Sequence, residues 1–170
     1  HKTMQTIMNQ YGKNGSVAWA YRHFPLSIHS KAPKESEATE CAYKLGGNEK
    51  FWNYVDRLFE ITPANNGLDL AKLPEIATMV GLDKTVFETC LNSGTFAEKV
   101  KRDLEDGLNA GVNGTPHTVW ILSKPVSATT EKRLTEINRT ILSQMQPGSP
   151  NLITLDSGKQ KISISGAFQL

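Results

Sequence analysis

Gly111-Val112-Asn113-Gly114-Thr115-Pro116-His117-Thr118-Val119-Trp120-Ile121 is the stretch on which the reading of this chain turns. A helix ends at a glycine, a Gly-Thr-Pro turn follows, and an apolar run leaves the turn. X-Pro bonds favour trans by only about 0.5–1 kcal/mol, so a cis peptide is tolerable at Thr115–Pro116. Proline also removes one N–H, so a chain approaching the turn meets the neighbouring backbone rather than that of Pro116. For an isolated Thr-Pro the bland reading is a trans proline opening an ordinary strand. The surrounding chain weighs against it.

Upstream, Thr95-x-x-Glu98 has the form of a capping box, with Phe96, Val100, Leu104 and Leu108 as one apolar stripe up to Gly111. The other face, Glu98, Lys99, Lys101, Arg102, Asp103, Glu105 and Asp106, mixes signs and reads as solvated surface. No carboxylate pair there has the isolation that general acid–base work calls for. Downstream, Val119 to Leu122 is expected to form a second core strand. A helix follows with Leu134, Ile137, Ile141 and Met145 inward, ended by Gln146-Pro147-Gly148-Ser149-Pro150. Asn151–Leu155 and Lys161–Ser165, joined through Asp156-Ser157-Gly158, read as a hairpin.

The first half is mostly helical. Met4, Ile7, Met8 and Tyr11 share one face of an opening helix, and Gly12-Lys13-Asn14-Gly15 turns the chain. Val17 to Phe24 places Val17, Trp19, Tyr21 and His23 on one side and Ala18, Ala20, Arg22 and Phe24 on the other, and reads as a largely buried strand. His23 has no second ligand at useful spacing and reads as a packed, hydrogen-bonded histidine rather than a metal ligand. Ala38, Cys41, Ala42 and Leu45 recur at helical spacing until Gly46-Gly47. Asn48 can cap the next helix, whose stripe is Phe51, Trp52, Val55, Leu58 and Phe59. Pro74 suits the first turn of a short helix ending at Gly81, and Asp83 can cap another that runs to Leu91.

With 170 residues the chain fits one domain, or a domain with an inserted subdomain. Nineteen basic against seventeen acidic side chains, without a long run of one sign, excludes an electrostatic nucleic-acid binder. No stretch approaches the roughly 20 apolar residues of a membrane span. Asn113-Gly114-Thr115 and Asn138-Arg139-Thr140 match the glycosylation triplet, a match frequent by chance and discounted here. Cys41 and Cys90 are too distant in sequence for a redox pair or a zinc knuckle. Two readings of them stand: free buried thiols or a structural disulfide. The disulfide would close a loop of about fifty residues and contribute roughly 4 kcal/mol.

Taken together, Val17-Ala18-Trp19-Ala20-Tyr21-Arg22-His23-Phe24-Pro25-Leu26, Glu40-Cys41-Ala42, Lys50-Phe51-Trp52, Val80-Gly81-Leu82-Asp83, Cys90-Leu91-Asn92-Ser93-Gly94, Gly111 to Pro116 and Ile164-Ser165-Gly166-Ala167 resemble the DsbA-like branch of the thioredoxin superfamily. The resemblance implies an α/β thioredoxin-like fold with an inserted α-helical subdomain. Residues 1–30 would be a partial core, 31–110 the helical insertion and return helix, and 111–170 the core with the proline loop, an extra helix and a terminal hairpin. Some DsbA-like proteins carry a second disulfide in that insertion, which favours a Cys41–Cys90 bond.

The family's Cys-x-x-Cys is absent from the chain. His1 onward resembles the helix just after that motif, so the motif and the central strand before it are expected upstream of His1. Ser165 to Leu170 resembles the start of the family's final helix, cut short. Without the central strand, the strands at Val17–Phe24 and Val119–Leu122 would face a gap with unpaired backbone groups, and the chain alone is expected not to be a stable domain.

The resemblance implies a thiol–disulfide oxidoreductase acting on protein cysteines. Thr115 and Pro116 are its candidate catalytic residues, and Gly114, Thr115 and Pro116 its substrate-binding backbone. It implies no cofactor and no metal, cysteine-containing protein substrates, a redox partner protein, an extracytoplasmic location in the periplasm or cell envelope, and room for a membrane tether elsewhere. Two rivals share the scaffold. One is a glutathione or small-thiol enzyme of the kappa-transferase or FrnE-like type; the other is a thioredoxin-fold module that binds partners without catalysis.

Overall fold

In the computed structural model, which describes residues 2–63, 65–146, 149 and 152–166, the elements start and stop largely at the chain's own caps and breakers. The chain forms two compact units, His1–Pro25 with Lys31–Leu104, and Leu26–Ser30 with Glu105–Leu170.

The first unit is helical. Helix α1, Lys2–Ile7, runs into a π-turn at Met8–Gly12, with Met4, Ile7 and Met8 half-buried and Tyr11 exposed. Helix α2, Ala32–Ile61, carries proline in its first turn and breaks at Gly46 and Gly47. Gly47 has φ +69°, a backbone that a Cβ would strain, so the Gly-Gly pair divides the helix where the sequence predicts a stop. Helix α3 is Leu73–Met79, with Pro74 in its first turn. Helix α4 is Lys84–Asn92; the Asp83 carboxylate caps it by accepting from the Val86 N–H at 2.9 Å. Helix α5, Ala97–Asn109, starts one residue later than a Thr95 cap requires, and the Ser93 and Thr95 hydroxyls bond each other at 2.6 Å.

The core of this unit is where α2, α3 and α4 meet, around Ala38, Cys41, Ala42, Tyr54, Leu73, Ile76 and Phe87. Tyr54 stacks on Phe87 at 5.3 Å between ring centroids, and its hydroxyl donates to the Leu73 carbonyl at 3.0 Å. Burial pushes this phenol far above its ordinary pKa, so it stays a neutral donor. Cys41 of α2 and Cys90 of α4 are joined, with 2.05 Å between sulfurs and 5.9 Å between Cα atoms. They are 1% and 7% exposed, so the bond lies inside the packed interface of the two helices.

Residues 17–24 are not a strand. The segment is neither helix nor strand, and among the described residues no ladder partner pairs with it. Its alternation survives as packing. Trp19 lies 4.4 Å from Trp52 between ring centroids, Tyr21 makes edge contacts with Phe51 and Trp52, and His23 is buried. On the other side Ala18, Ala20 and Arg22 are exposed and Phe24 is half-buried, so that side is covered only at its end. Where a neighbouring strand would accept the His23 N–H, the Asp103 carboxylate does so at 3.3 Å.

The second unit holds a three-stranded antiparallel sheet in the order β1-β3-β2, built from β1 His117–Ile121, β2 Ile153–Leu155 and β3 Lys161–Ser165. The predicted hairpin is β2–β3, with Ile153 opposite Ile164 and Leu155 opposite Ile162. β1 pairs with β3 from His117–Ser165 to Ile121–Lys161. Val119 and Ile121 are 43% and 78% exposed, which corrects the expectation of a core strand here. β1 is an edge strand among the described residues, and that face has no cover within its own unit.

Helix α6, Ala128–Leu142, opens on Ser127, whose hydroxyl accepts from the Thr130 N–H. It buries Ile141 and keeps Leu134 and Ile137 half-buried, while Met145 lies beyond its end and is exposed. The Asn138 side-chain oxygen accepts from the Leu152 and Ile153 N–H groups at 3.1 and 3.0 Å and so fastens β2 to the helix. Asn138→Ala strips two backbone donors of their acceptor and is expected to cost about 2 kcal/mol, read as a lower urea midpoint at unchanged slope. Pro147, Gly148, Pro150 and Asn151, and the final-helix start expected beyond Gly166, lie outside the described residues.

Candidate functional site

The end of α5 sets up the proline loop. The Gly111 N–H bonds to the Leu108 carbonyl at 3.0 Å and the Val112 N–H to the Gly107 carbonyl at 2.9 Å, while Gly111 adopts φ +83°. Such a left-handed residue turns the chain out of the helix and satisfies its last carbonyls. Four residues later Thr115 and Pro116 stand exposed at the head of β1, with Gly114 half-buried beside them. The Thr115–Pro116 peptide is cis. The Pro116 carbonyl accepts from the Gly166 N–H at 2.8 Å, which extends the β1–β3 ladder by one bond and fixes the loop to the sheet. Gly114, Thr115 and Pro116 therefore form one exposed loop on a rigid strand.

The next residue was not singled out by sequence reasoning. His117 is half-buried, and its Nδ1 lies 3.0 Å from the Ser165 hydroxyl, its opposite number in the β1–β3 register. Its Nε2 is shut off from solvent and has no hydrogen-bond partner among the described residues. Burial holds the imidazole below its usual pKa of 6.5, so the ring is neutral at pH 7.

A second cluster lies in the helical unit and overturns the reading of Asp103 as solvated surface. Asp103 is 3% exposed. Its Oδ1 accepts from Arg22 at 2.8 Å and its Oδ2 from Lys99 at 2.9 Å. Lys99 also lies 2.9 Å from Glu40 Oε1, and Glu40 meets His23 Nε2 at 2.8 Å. The fold thus gives the supposedly isolated His23 two carboxylate neighbours, and donor atoms of His23, Glu40 and Asp103 lie within 4.8 Å of one another. The cations balancing those carboxylates are the Lys99 ammonium and the Arg22 guanidinium, so the arrangement is an ion network that anchors residues 22–23 to α2 and α5. Burial works to raise the Glu40 and Asp103 pKa values, but the bonds from His23, Lys99 and Arg22 outweigh it and hold both below their ordinary values.

A family model described as thioredoxin matches residues 1–138, a span that contains both the ion network and the proline loop. The chain belongs to this thioredoxin family. No match was found among the curated proteins. Among solved structures, the crystal structure of Pseudomonas aeruginosa DsbA2 is similar, with a TM-score of 0.55 and 24% identity. The alignment covers 68% of this chain and 63% of that one, so the chain spans less than two thirds of that protein. At this identity the likeness is one of fold. The family's fold is present here in DsbA-like form, a small sheet with the proline loop and an inserted helical region. In this thioredoxin-family chain the two cysteines are bonded to each other inside the helical unit. Among the described residues, no helix is long and apolar enough to cross a membrane.

Proposed function

We propose that this protein is a thiol–disulfide oxidoreductase that exchanges disulfides with cysteines of other proteins, using a Cys-x-x-Cys pair that precedes His1. The observation that carries the reading is the Gly114-Thr115-Pro116 loop of a thioredoxin-family chain, exposed at Thr115 and Pro116 and tied to the sheet through Pro116. A substrate chain laid along Thr115 meets free backbone groups, and pairing of this kind positions a substrate sulfur without reading its sequence. Thr115 and Pro116 act at the reacting centre; Gly114, without a Cβ, leaves room for the approaching strand. Cys41 and Cys90 are not the exchanging pair, because their disulfide is buried and a thiolate needs access to attack it.

The reacting thiolate sits at a helix N-terminus, where the helix dipole lowers its pKa. It forms a mixed disulfide with substrate, which the second cysteine of the pair resolves. The bonded Cys41–Cys90 pair supports an oxidising, extracytoplasmic location, since structural disulfides persist in such compartments.

The test joins mass and activity. The full-length protein, reduced and unfolded, should take up two more alkylating groups than Cys41 and Cys90 account for, and should accelerate oxidative refolding of a reduced disulfide-containing protein. Thr115→Pro, which removes the backbone N–H offered to substrate, should slow that refolding at least tenfold. A protein with only Cys41 and Cys90 to alkylate and no effect on refolding would leave the loop as a binding surface alone.

A further inference from the structure

We propose that His117 is the proton-transfer group for thiol–disulfide exchange at the Thr115–Pro116 loop, with Nε2 as the atom that takes and returns the proton. The inference rests on the oxidoreductase reading and deepens it. Three observations carry it. His117 is the residue bonded directly to Pro116, so its backbone is fixed by the same ladder that fixes the loop. Its Nδ1 is held by the Ser165 hydroxyl at 3.0 Å, which sets the ring plane from the opposite strand. Its Nε2 is buried and unpartnered among the described residues.

A buried, unsatisfied nitrogen has given up its hydration with nothing in return and calls for an explanation. His23 shows the contrast, since its Nε2 meets Glu40 at 2.8 Å. In the tautomer in which Nδ1–H donates to Ser165, Nε2 carries a lone pair that has no partner among the described residues. Because the ring is neutral at pH 7, Nε2 is ready to accept a proton without first losing one. It belongs to the residue that directly follows Pro116 of the loop along which a substrate sulfur would be presented.

The step balances without further reagents. A thiol gives its proton to Nε2, and its sulfur supplies the electron pair of a new S–S bond to one sulfur of a disulfide. The old S–S bond breaks, and the departing sulfur leaves as a thiolate that takes the proton back from Nε2–H. The attacking sulfur is oxidised, the departing sulfur is reduced by the same amount, one S–S bond replaces another, and the imidazole ends as it began.

The experiment uses the full-length protein and follows the rate of mixed-disulfide resolution with glutathione disulfide as probe, from pH 4.5 to 8. The wild type should show an inflection below pH 6.5, where the imidazole becomes neutral, in addition to that of the attacking thiol. His117→Asn keeps a polar group in reach of Ser165 but offers no titrating nitrogen. It should slow resolution about 100-fold near pH 7, abolish the lower inflection, and be partly rescued by added imidazole. Ser165→Ala, which frees the ring without removing it, should keep the inflection at a reduced rate. A His117→Asn profile that is lower but unchanged in shape, without rescue, would assign the residue a structural role and overturn the inference. Absence of any exchange by the wild type would instead sink the oxidoreductase reading itself.

Discussion

Replacing Cys41 and Cys90 together by alanine should lower the stability of the folded chain by about 4 kcal/mol. The bond joins positions 49 apart, and the loop it closes contains the second half of α2, all of α3 and most of α4. In the chain-entropy model, the cost of closing that loop is removed from folding because the unfolded chain is already closed. Alanine is the informative replacement. Serine would add buried hydroxyls at positions only 1% and 7% exposed, and their desolvation would blur the loss of the cross-link. Because α2 and α4 also meet through Ala38, Ala42, Phe87 and Leu91, the native packing should survive. The change therefore appears mainly in the denatured state. Urea unfolding of the double variant and of reduced, alkylated wild type should give midpoints well below that of the oxidised protein. Coincident midpoints for oxidised wild type and double variant would mean that the cross-link restrains nothing that packing does not already restrain.

The disulfide also marks how far the residues alone could be read. Composition and spacing excluded a redox pair but left free thiols and a cross-link open; only the likeness to a helical insertion favoured the bond. Local signals did better. Asp83 caps α4 and Gly46-Gly47 divides α2 because the physics of a cap or a left-handed turn is contained in a few consecutive residues. The β2–β3 hairpin was legible for the same reason. The alternation of Val17 to Phe24 was real and decided which side chains pack, yet a strand also requires a partner, and alternation carries no information about one. Asp103 fails differently. It sits three residues after Val100, on the flank of the apolar stripe, where a helical face is as easily buried as wet. What buries it is a set of partners about 80 positions away, Arg22 and His23, which no helical periodicity reports. His117 had no local signal beyond its place after Pro116; its meaning came from the register that set it opposite Ser165.

Asp103→Ala should destabilise the protein by about 3 kcal/mol, the lower end of what breaking a buried ion pair costs. The lower end applies because the partners are not equally stranded. The Arg22 side chain is 68% exposed and returns to water, and Lys99 keeps Glu40 at 2.9 Å. The His23 N–H has no such recourse, since it is buried and Asp103 stands where a strand would be. Asp103→Asn separates the two effects, because it retains an oxygen for that N–H and removes the charge. The sign of the pH dependence follows from the network. Glu40 and Asp103 are held below their ordinary values of 4.5 and 3.8, so the stability they provide is complete above those values. It is lost as pH falls further through the folded-state values. Lys99 runs the other way: burial would lower its pKa, but bonds to Glu40 and Asp103 raise it above 10.5. Its share is intact below that value and disappears as pH climbs through the raised one. The stability gap between wild type and Asp103→Asn should therefore be widest at neutral pH and begin to close as the pH falls below the ordinary 3.8, where the unfolded chain takes up a proton that folded Asp103 resists. A gap that stays constant from pH 7 to pH 3 would show that Asp103 acts as a hydrogen-bond acceptor whose charge is immaterial. Residues 22–23 would then be anchored by shape and backbone pairing rather than by the ion network.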